Sequence, residues 1–235
     1  MKKKSIIREG ASLMLVFLLA SLMSLTFFNL PEVEMELSNY YIEQGVNDTG
    51  AINLITAILF DYRGFDTLGE ATVIFAAAGA VAFLVSKEGA SMISAKFSLL
   101  VQQTLSFIMP FLFLFAFYLI AFGHLSPGGG FTGGVVMAAI VISLTVVFGI
   151  KYSDTQIKSK YKTFLESFGA IGFLLGGMVG IFLGGNFLAN GQIGVYLGTS
   201  GSLYSAGLIP YINLMTGLKV AAGLSIIFTS LIKEE

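Results

Sequence analysis

Six long apolar stretches run through the chain, and they constrain its fold more than any other feature. A helix of roughly 20 apolar residues crosses the hydrocarbon core of a bilayer and satisfies its own backbone hydrogen bonds there. We therefore predict an all-α integral membrane protein with about six transmembrane helices. The predicted spans are Ala11–Leu30, Asp66–Val85, Leu99–Phe122, Phe131–Ile150, Phe164–Phe187 and Tyr211–Ile232.

A shorter apolar run, Ala51–Phe60, cannot cross a bilayer and is predicted to be an interfacial or re-entrant helix. Only 11% of the residues are charged, compared with about 25% in soluble domains. The basic start and first apolar run could be mistaken for a secretory signal. No A-x-A cleavage site follows the run, so we expect it to remain as a span.

Loops that contain lysine or arginine alternate along the chain with loop segments that contain neither. They occur at Lys2, Lys3, Lys4 and Arg8, then at Lys87 and Lys96, then at Lys151, Lys158, Lys160 and Lys162, and finally at Lys233. The intervening segments Pro31–Gly50, His124–Gly130 and Asn190–Pro210 contain neither residue. Since cytoplasmic loops carry the positive charge, both termini are predicted to be cytoplasmic, in a cell membrane.

The composition also restricts the chemistry that this chain can perform alone. It has no cysteine and one histidine, so cysteine-ligated clusters and multi-histidine metal sites are excluded within it. A net charge of −1 leaves no basic patch for nucleic acid. We expect no cofactor and no metal in this chain. No Ser/Lys or Asp/Asp pair of recognisable spacing lies in the spans, so we expect no enzymatic activity of its own.

The acidic run from Asp61 to Glu70 is the first candidate site. On a helix, Asp66 and Glu70 share a face, and Arg63 reaches that face if the helix extends back. Two carboxylates and a guanidinium at a membrane edge could hold a proton or bind Na⁺. Alternatively, Thr67 and Glu70 could form a capping box at the start of the second span. The two interpretations are compatible, and the residues alone do not decide between them.

Lys219 is the second candidate, because it lies inside the last predicted span. A lysine near the bilayer centre costs roughly 2.5–3.5 kcal/mol and usually faces a bundle interior or a hydrated path. Snorkelling or a structural ion pair is the alternative. Its possible counter-charges are Asp66, Glu70 and Glu166, although Glu166 is expected to be a solvated carboxylate at the edge of its span.

The turn His124–Phe131 is the third candidate. Its glycines permit backbone conformations closed to other residues and predict a tight helical hairpin that another subunit can approach closely. A phosphate-binding loop is a poorer interpretation, because the motif spacing is absent. His124 could relay protons, or could simply be a polar loop residue. The glycine turn itself comprises Pro127, Gly128, Gly129, Gly130 and Phe131.

A glycine stripe in the fifth span carries no chemistry. Its members are spaced by four residues, which is the small-xxx-small pattern of close helix packing. We predict that a partner helix packs there. The stripe consists of Gly172, Gly176, Gly180 and Gly184.

Two of these motifs resemble a known family. Ser126–Phe131, at the junction of two spans in a four-span unit, resembles the B subunit of Mrp-type multisubunit Na⁺/H⁺ antiporters, and the resemblance extends from about Leu99 to the C-terminus. Phe65–Glu70 looks like the final part of the A subunit of those antiporters. It also looks like the small E-type subunit of archaeal membrane-bound hydrogenases and sulfur reductases.

The resemblance implies a function and a division of the chain. It implies membership of a module that exchanges Na⁺ for H⁺, with other membrane subunits as partners. It attaches importance to Asp66, Glu70, Pro127 and Phe131. In the antiporters the first piece is fused to the large A subunit, whereas here it is a two-span piece fused to the B-like piece. The arrangement therefore looks more like the E and F subunits of a respiratory hydrogenase or sulfur-reductase complex joined in one chain. We predict two domains, residues 1–98 and 99–235.

Two functional hypotheses follow. In the first, Asp66, Glu70 and Lys219 line or gate a cation path. In the second, the chain is a structural scaffold that holds neighbouring subunits through its glycine faces, and its charges only cap and pair.

Overall fold

The computed structural model describes residues 2–28, 36–84 and 97–232, and the regular elements in these ranges are all helical. The predicted all-α architecture is confirmed. The α-helices of the described ranges are α1 (Lys2–Phe28), α2 (Glu36–Thr49), α3 (Leu54–Ala57), α4 (Gly64–Leu84), α5 (Leu99–Ala121), α6 (Gly130–Phe148), α7 (Ile150–Gln156), α8 (Ser159–Phe182) and α9 (Ile209–Leu231).

Five of these helices, α4, α5, α6, α8 and α9, are long and apolar enough to cross a membrane. Within the described residues, α1 adds a shorter apolar stretch, Val16–Thr26. The chain is therefore a multi-pass membrane protein. Several residues used to predict its orientation lie outside the described ranges, namely Lys87, Lys96 and Lys233.

The predicted bounds of the fifth span are wrong. The fifth span starts at Ser159 and ends at Phe182, before Phe187. It ends there because Gly184 has a φ of +88°, a left-handed conformation that breaks the helix. The predicted short apolar helix is present, since α3 lies within this run and passes directly into a π-helical turn, Ile58–Tyr62.

The chain divides into two compact units, Met1–Asn39 and Tyr40–Glu235. In the first unit, the hydroxyls of Ser21, Ser24 and Thr26 donate to carbonyls three or four residues earlier in α1. The helix thus satisfies these hydroxyls without water. The predicted domain boundary at residue 98 stays a prediction.

In the second unit, α9 is the central helix, and α4, α5, α6 and α8 pack around it. Glycines allow the closest approaches. A Cβ on Gly134 of α6 would lie 2.8 Å from the Gly217 carbonyl oxygen, and one on Gly169 of α8 would lie 2.6 Å from that of Met215. A polar side chain on the inner faces of α9 is consequently enclosed by four helices.

Candidate functional site

A row of buried polar side chains follows α9. Asn213, Thr216 and Lys219 are three residues apart and are 0%, 0% and 3% exposed. Glu166 of α8 continues the row, since its Oε1 lies 3.1 Å from the position of a Cβ on Gly223, one turn beyond Lys219. We name these four side chains, Asn213, Thr216, Lys219 and Glu166, the polar column.

Three atoms of the polar column lack a hydrogen-bond partner: Asn213 Nδ2, Thr216 Oγ1 and Glu166 Oε1. Buried polar atoms in proteins almost always bond to protein or to ordered water, because an unmade bond costs about 1–3 kcal/mol. The column therefore offers unsatisfied donors and acceptors to water or to a passing ion.

The Lys219 ammonium points into the helix bundle. Its ammonium donates a hydrogen bond to the Ala71 carbonyl oxygen of α4 and lies 5.6 Å from the centroid of the Phe75 ring. Lys219 is the eleventh of 23 residues in α9 and is 3% exposed, so the snorkelling interpretation is wrong. The structure thus connects this lysine to the helix that carries the acidic motif.

The prediction that Glu166 is a solvated edge carboxylate is wrong. Its helix begins at Ser159, which places Glu166 about 10 Å along α8. The residue is only 6% exposed. Its carboxylate interacts electrostatically with the Lys219 ammonium, without a direct hydrogen bond. Glu166 is therefore the buried counter-charge of Lys219.

The acidic pair, Asp66 and Glu70, lies on a face of α4 that points away from Lys219. Asp66 and Glu70 are both exposed, and Arg63 forms an ion pair with Asp66. The capping-box interpretation is wrong, because α4 begins at Gly64 and the Thr67 hydroxyl donates to the Leu59 carbonyl at 2.6 Å. The structure does not bring the acidic pair together with the polar column. It leaves both carboxylates facing whatever surrounds the chain.

His124 is fully buried, with 0% exposure, and is not the solvated loop residue that the sequence allows. Backbone groups of Ser202 and Leu203 lie close enough to favour its charged form, yet neither ring nitrogen makes a hydrogen bond of normal geometry. Burial is the larger effect and lowers the pKa of His124 below its ordinary value of 6.5. The ring is thus kept neutral near physiological pH.

Acidification is expected to destabilise the protein through His124. Its pKa is lower in the folded chain than in the unfolded chain, so the unfolded state binds the proton first. Stability from the neutral ring is complete above pH 6.5 and is lost as pH falls below it. The melting temperature of the detergent-solubilised chain should drop as the pH is lowered from about 7.5 to about 5. The drop should be about 2–4 °C for each kcal/mol by which the free energy of unfolding decreases.

The matched variant is His124→Gln, which removes the only histidine of the chain. Its melting temperature should fall less than that of the wild type over the same pH range. Parallel curves for the two proteins would show that His124 does not titrate on folding.

The glycine turn is held by Asn53, which lies just before α3. The Asn53 Nδ2 donates to the Gly123 carbonyl at 2.7 Å and to the Ser126 carbonyl at 2.8 Å. Its Oδ1 accepts from the Ile55 amide and caps α3. One amide side chain therefore joins the hairpin turn to the short helix.

Replacing Asn53 by Ala is expected to destabilise the protein by about 2–3 kcal/mol. The variant loses a helix cap, at about 1 kcal/mol, and hydrogen bonds to two carbonyls, at about 1 kcal/mol each. The melting temperature in detergent should fall by roughly 5–10 °C. Asn47→Ala, at an exposed asparagine of α2, is the control and should change it little. Equal melting temperatures for the two variants would contradict the assignment.

The glycines of the turn receive α9 of the same chain. Gly129 has a φ of +124°, and its amide donates to the Leu119 carbonyl at 3.0 Å. The Gly130 amide donates to Asn213 Oδ1 at 2.8 Å, and a Cβ on Gly130 would overlap the Asn213 backbone. The close approach that we predicted for another subunit is thus made internally. Pro127 and Phe131, the first and last residues of the turn, are exposed, and Gly128 is half-buried.

The glycine stripe has more than one partner. Gly172 and Gly176 face Met215 and Tyr211 of α9, so their partner helix belongs to this chain. Gly180 packs against the backbone of Ala189 in the following loop, 2.9 Å from a built Cβ. The packing prediction is wrong for Gly184, which lies beyond the helix with nothing within 4 Å. Its backbone conformation, rather than contact, requires the glycine.

Sequence reasoning missed a second polar network at the end of the bundle that carries the glycine turn. Asp61, in the π-helical turn, accepts hydrogen bonds from Asn190 Nδ2 at 3.1 Å and from Gln192 Nε2 at 2.9 Å. The Asn190 Oδ1 in turn accepts from the Leu208 amide at 3.0 Å. Burial raises the pKa of Asp61, and the two amide donors oppose this. The network fastens the loop before α9 to the π-helical turn.

Comparison with protein families identifies two regions. Residues 100–226 match a profile described as a domain related to the MnhB subunit of Na⁺/H⁺ antiporter. Residues 8–106 match a profile that describes the E subunit of MBH. Both agree with the resemblance carried by the two motifs, which is thereby confirmed.

Individual proteins agree with this result. An uncharacterised protein of Methanocaldococcus jannaschii is 31% identical over 216 residues, covering 80% of this chain and 82% of that protein. The B subunit of a Na⁺/H⁺ antiporter of Bacillus subtilis is 38% identical over 53 residues, covering 22% of this chain and 37% of that relative. A chain of the membrane-bound sulfane sulfur reductase, an archaeal respiratory membrane complex, is 30% identical with a TM-score of 0.75. That match covers 97% of this chain and 100% of the other.

Proposed function

The chain belongs to the family of domains related to the MnhB subunit of Na⁺/H⁺ antiporters, and we propose that it is a membrane subunit of an antiporter-like module in a larger respiratory complex. The observation that carries this proposal is the buried pair of Lys219 and Glu166 inside a membrane bundle. Buried ionisable groups in a membrane are costly and mark ion or proton paths.

In the proposed mechanism, the polar column moves a proton. The Lys219 ammonium gives its proton to the Glu166 carboxylate, which leaves a neutral amine and a neutral acid. Lys219 contacts the Ala71 carbonyl of α4, and in this proposal it receives protons from the end of the bundle at which α4 begins. Glu166 releases them toward the end of α8 with the basic residues. Water bonded to Asn213 and Thr216 hydrates the other half of the column.

The exposed carboxylates Asp66 and Glu70 face neighbouring subunits in this proposal. Na⁺, like other hard cations, is bound by oxygen ligands, and two carboxylates four residues apart on one helix supply several. The rest of the coordination comes from partner subunits. Arg63 holds Asp66 in place through its ion pair.

The orientation follows from the positive-inside rule. Lys151, Lys158 and Lys160 cluster around the start of α8, so we place this end at the cytoplasmic side, with both termini. The subunit performs no bond-making chemistry of its own, because transfer of protons and cations requires only titratable and liganding groups.

The scaffold hypothesis loses its main support in the structure. It relies on the glycine turn and the glycine stripe to hold neighbours, whereas Gly130, Gly172 and Gly176 are covered by α9 of the same chain. A scaffold also has no need of a charged pair in its centre, where apolar residues of similar size would stabilise the bundle at least as well.

Transport is expected from the complex and not from the isolated chain. A tag on this chain should copurify further membrane subunits, and the complex in liposomes should exchange Na⁺ for H⁺. The isolated chain should leave the signal of a pH-sensitive dye unchanged, since its few buried charges cannot bridge about 30 Å of hydrocarbon. Exchange by the isolated chain, or a tagged complex that moves no cation, would contradict the proposal.

A further inference from the structure

An apolar groove of about 370 Å³ lies between α8 and the hairpin of α5 and α6. It exists because α8 packs mainly on α9, so the space beside α5 and α6 stays open. Apolar side chains of α5, α6, α8 and α9 line it, including Phe117, Val141, Leu165 and Leu218. The proposed function does not use this groove.

The groove opens sideways into the bilayer. Phe113 and Phe117, which form its α5 wall, each remain 53% exposed. In a protein that spans a membrane, lipid surrounds such an opening. A flexible hydrocarbon chain fits a groove of this size and lining.

One end of the groove holds a lysine that is paired with an aspartate. Lys162 of α8 lines it, with a side chain only 3% exposed, and its Nζ lies 3.2 Å from Asp154 Oδ1. An ammonium has three donors, so two remain for another acceptor. The exposed lysines Lys158 and Lys160 lie on the same end of α8. Basic pockets between membrane helices bind the head groups of anionic lipids.

We propose that this groove binds one acyl chain of an anionic phospholipid, with the lipid phosphate at Lys162. The tail fills the gap between α8 and the α5–α6 hairpin. The phosphate accepts the hydrogen bonds of the Lys162 ammonium that Asp154 leaves free. The bound lipid thereby supports α8 on α9 without a protein partner.

The sequence contains no tryptophan, so a single introduced tryptophan reports on the groove. Phe117→Trp places it in the groove wall. Phe83→Trp is the control, because the Phe83 side chain lies on α4 and is 88% exposed. The full chain is reconstituted in phosphatidylcholine bilayers containing brominated phosphatidylglycerol or brominated phosphatidylcholine, and quenching is measured. At Phe117→Trp the anionic lipid should quench at an approximately fivefold lower content, the preference that one lysine near a membrane surface supplies. At Phe83→Trp the two lipids should quench equally.

Two further substitutions test the role of Lys162. Lys162→Gln in the Phe117→Trp protein should abolish the preference for the anionic lipid, and Lys160→Gln should preserve it. A photoreactive benzoylphenylalanine at position 117 of the intact complex should crosslink to phospholipid. Equal quenching by both lipids at Phe117→Trp, a preference that survives Lys162→Gln, or a crosslink to another subunit would each overturn the proposal.

Discussion

Lys219→Met in the intact complex should reduce coupled cation transport by roughly two orders of magnitude, the effect of removing a positioned proton donor. Lys219 is 3% exposed and is the only cation among the four side chains of the polar column, so the variant column has no ammonium to donate a proton. The substitution keeps much of the side-chain volume, which limits repacking. Transport is measured in liposomes that contain the purified complex, with Na⁺-dependent proton movement as the signal.

The single variant also leaves the Glu166 carboxylate buried without a counter-charge. Breaking a buried pair in this way costs about 3–5 kcal/mol, so Lys219→Met could lower the amount of complex as well as its activity. The double variant Lys219→Met/Glu166→Gln separates the two effects, because it removes both charges. We expect it to assemble at wild-type levels, since neutral replacements of a buried pair are often no less stable.

The double variant distinguishes the transport hypothesis from the scaffold hypothesis. If the pair moves protons, the assembled double variant transports as little as Lys219→Met. If the pair only stabilises the bundle, restored assembly restores transport. Lys160→Met, at an exposed lysine of the same bundle, is the control and should transport normally. Wild-type transport by the assembled double variant would end the proton-path proposal.

The sequence predicts the spans well because hydropathy and length are local properties. A run of about twenty apolar residues must be helical in lipid whatever its neighbours are, and the structure places helices on the predicted runs. The exceptions are instructive. The fifth span begins too late in the prediction because Tyr161 and Lys162 resemble loop residues, whereas Lys162 is helical and paired with Asp154 from α7.

That boundary error also misplaces Glu166, one of the four residues of the polar column. Lys219 stands out in the sequence because a charge inside an apolar run is conspicuous. Glu166 does not, because its place relative to the membrane edge depends on where α8 begins. Asn213 and Thr216 carry no charge and are unremarkable in a membrane helix. Only the packing of α8 and α4 around α9 shows that they are buried with unsatisfied atoms.

The glycines show a similar limit. Their spacing predicts close approach, but it carries no information about which helix approaches. The pattern assigns the glycine turn to another subunit and leaves the partner of Gly172 open, and α9 occupies both. Partner identity depends on the topology of the whole chain, which pattern spacing cannot supply.

Gly130→Ala should destabilise the bundle and, with it, lower the yield of assembled complex. A Cβ at this position would overlap the Asn213 carbonyl oxygen and lie 2.9 Å from the Asn213 carbonyl carbon. Both atoms belong to the backbone of α9, so no side-chain rotation can relieve the overlap. Either α6 and α9 separate or the hydrogen bond from the Gly130 amide to Asn213 is lost. Overpacking of this kind costs about 1–3 kcal/mol and sometimes more.

The matched control is Gly79→Ala, because Gly79 lies in membrane helix α4 with nothing within 4 Å of a built Cβ. The same chemical change is made in both variants, so the difference between them isolates the contact with Asn213. We expect Gly79→Ala to accumulate and melt like the wild type, since changes at open sites usually stay within about 0.5 kcal/mol. Gly130→Ala should give less assembled complex than Gly79→Ala and a melting temperature lowered by roughly 2–10 °C. If both variants assembled and melted alike, α6 and α9 could not meet at Gly130, and the enclosure of the polar column would have to be reconsidered.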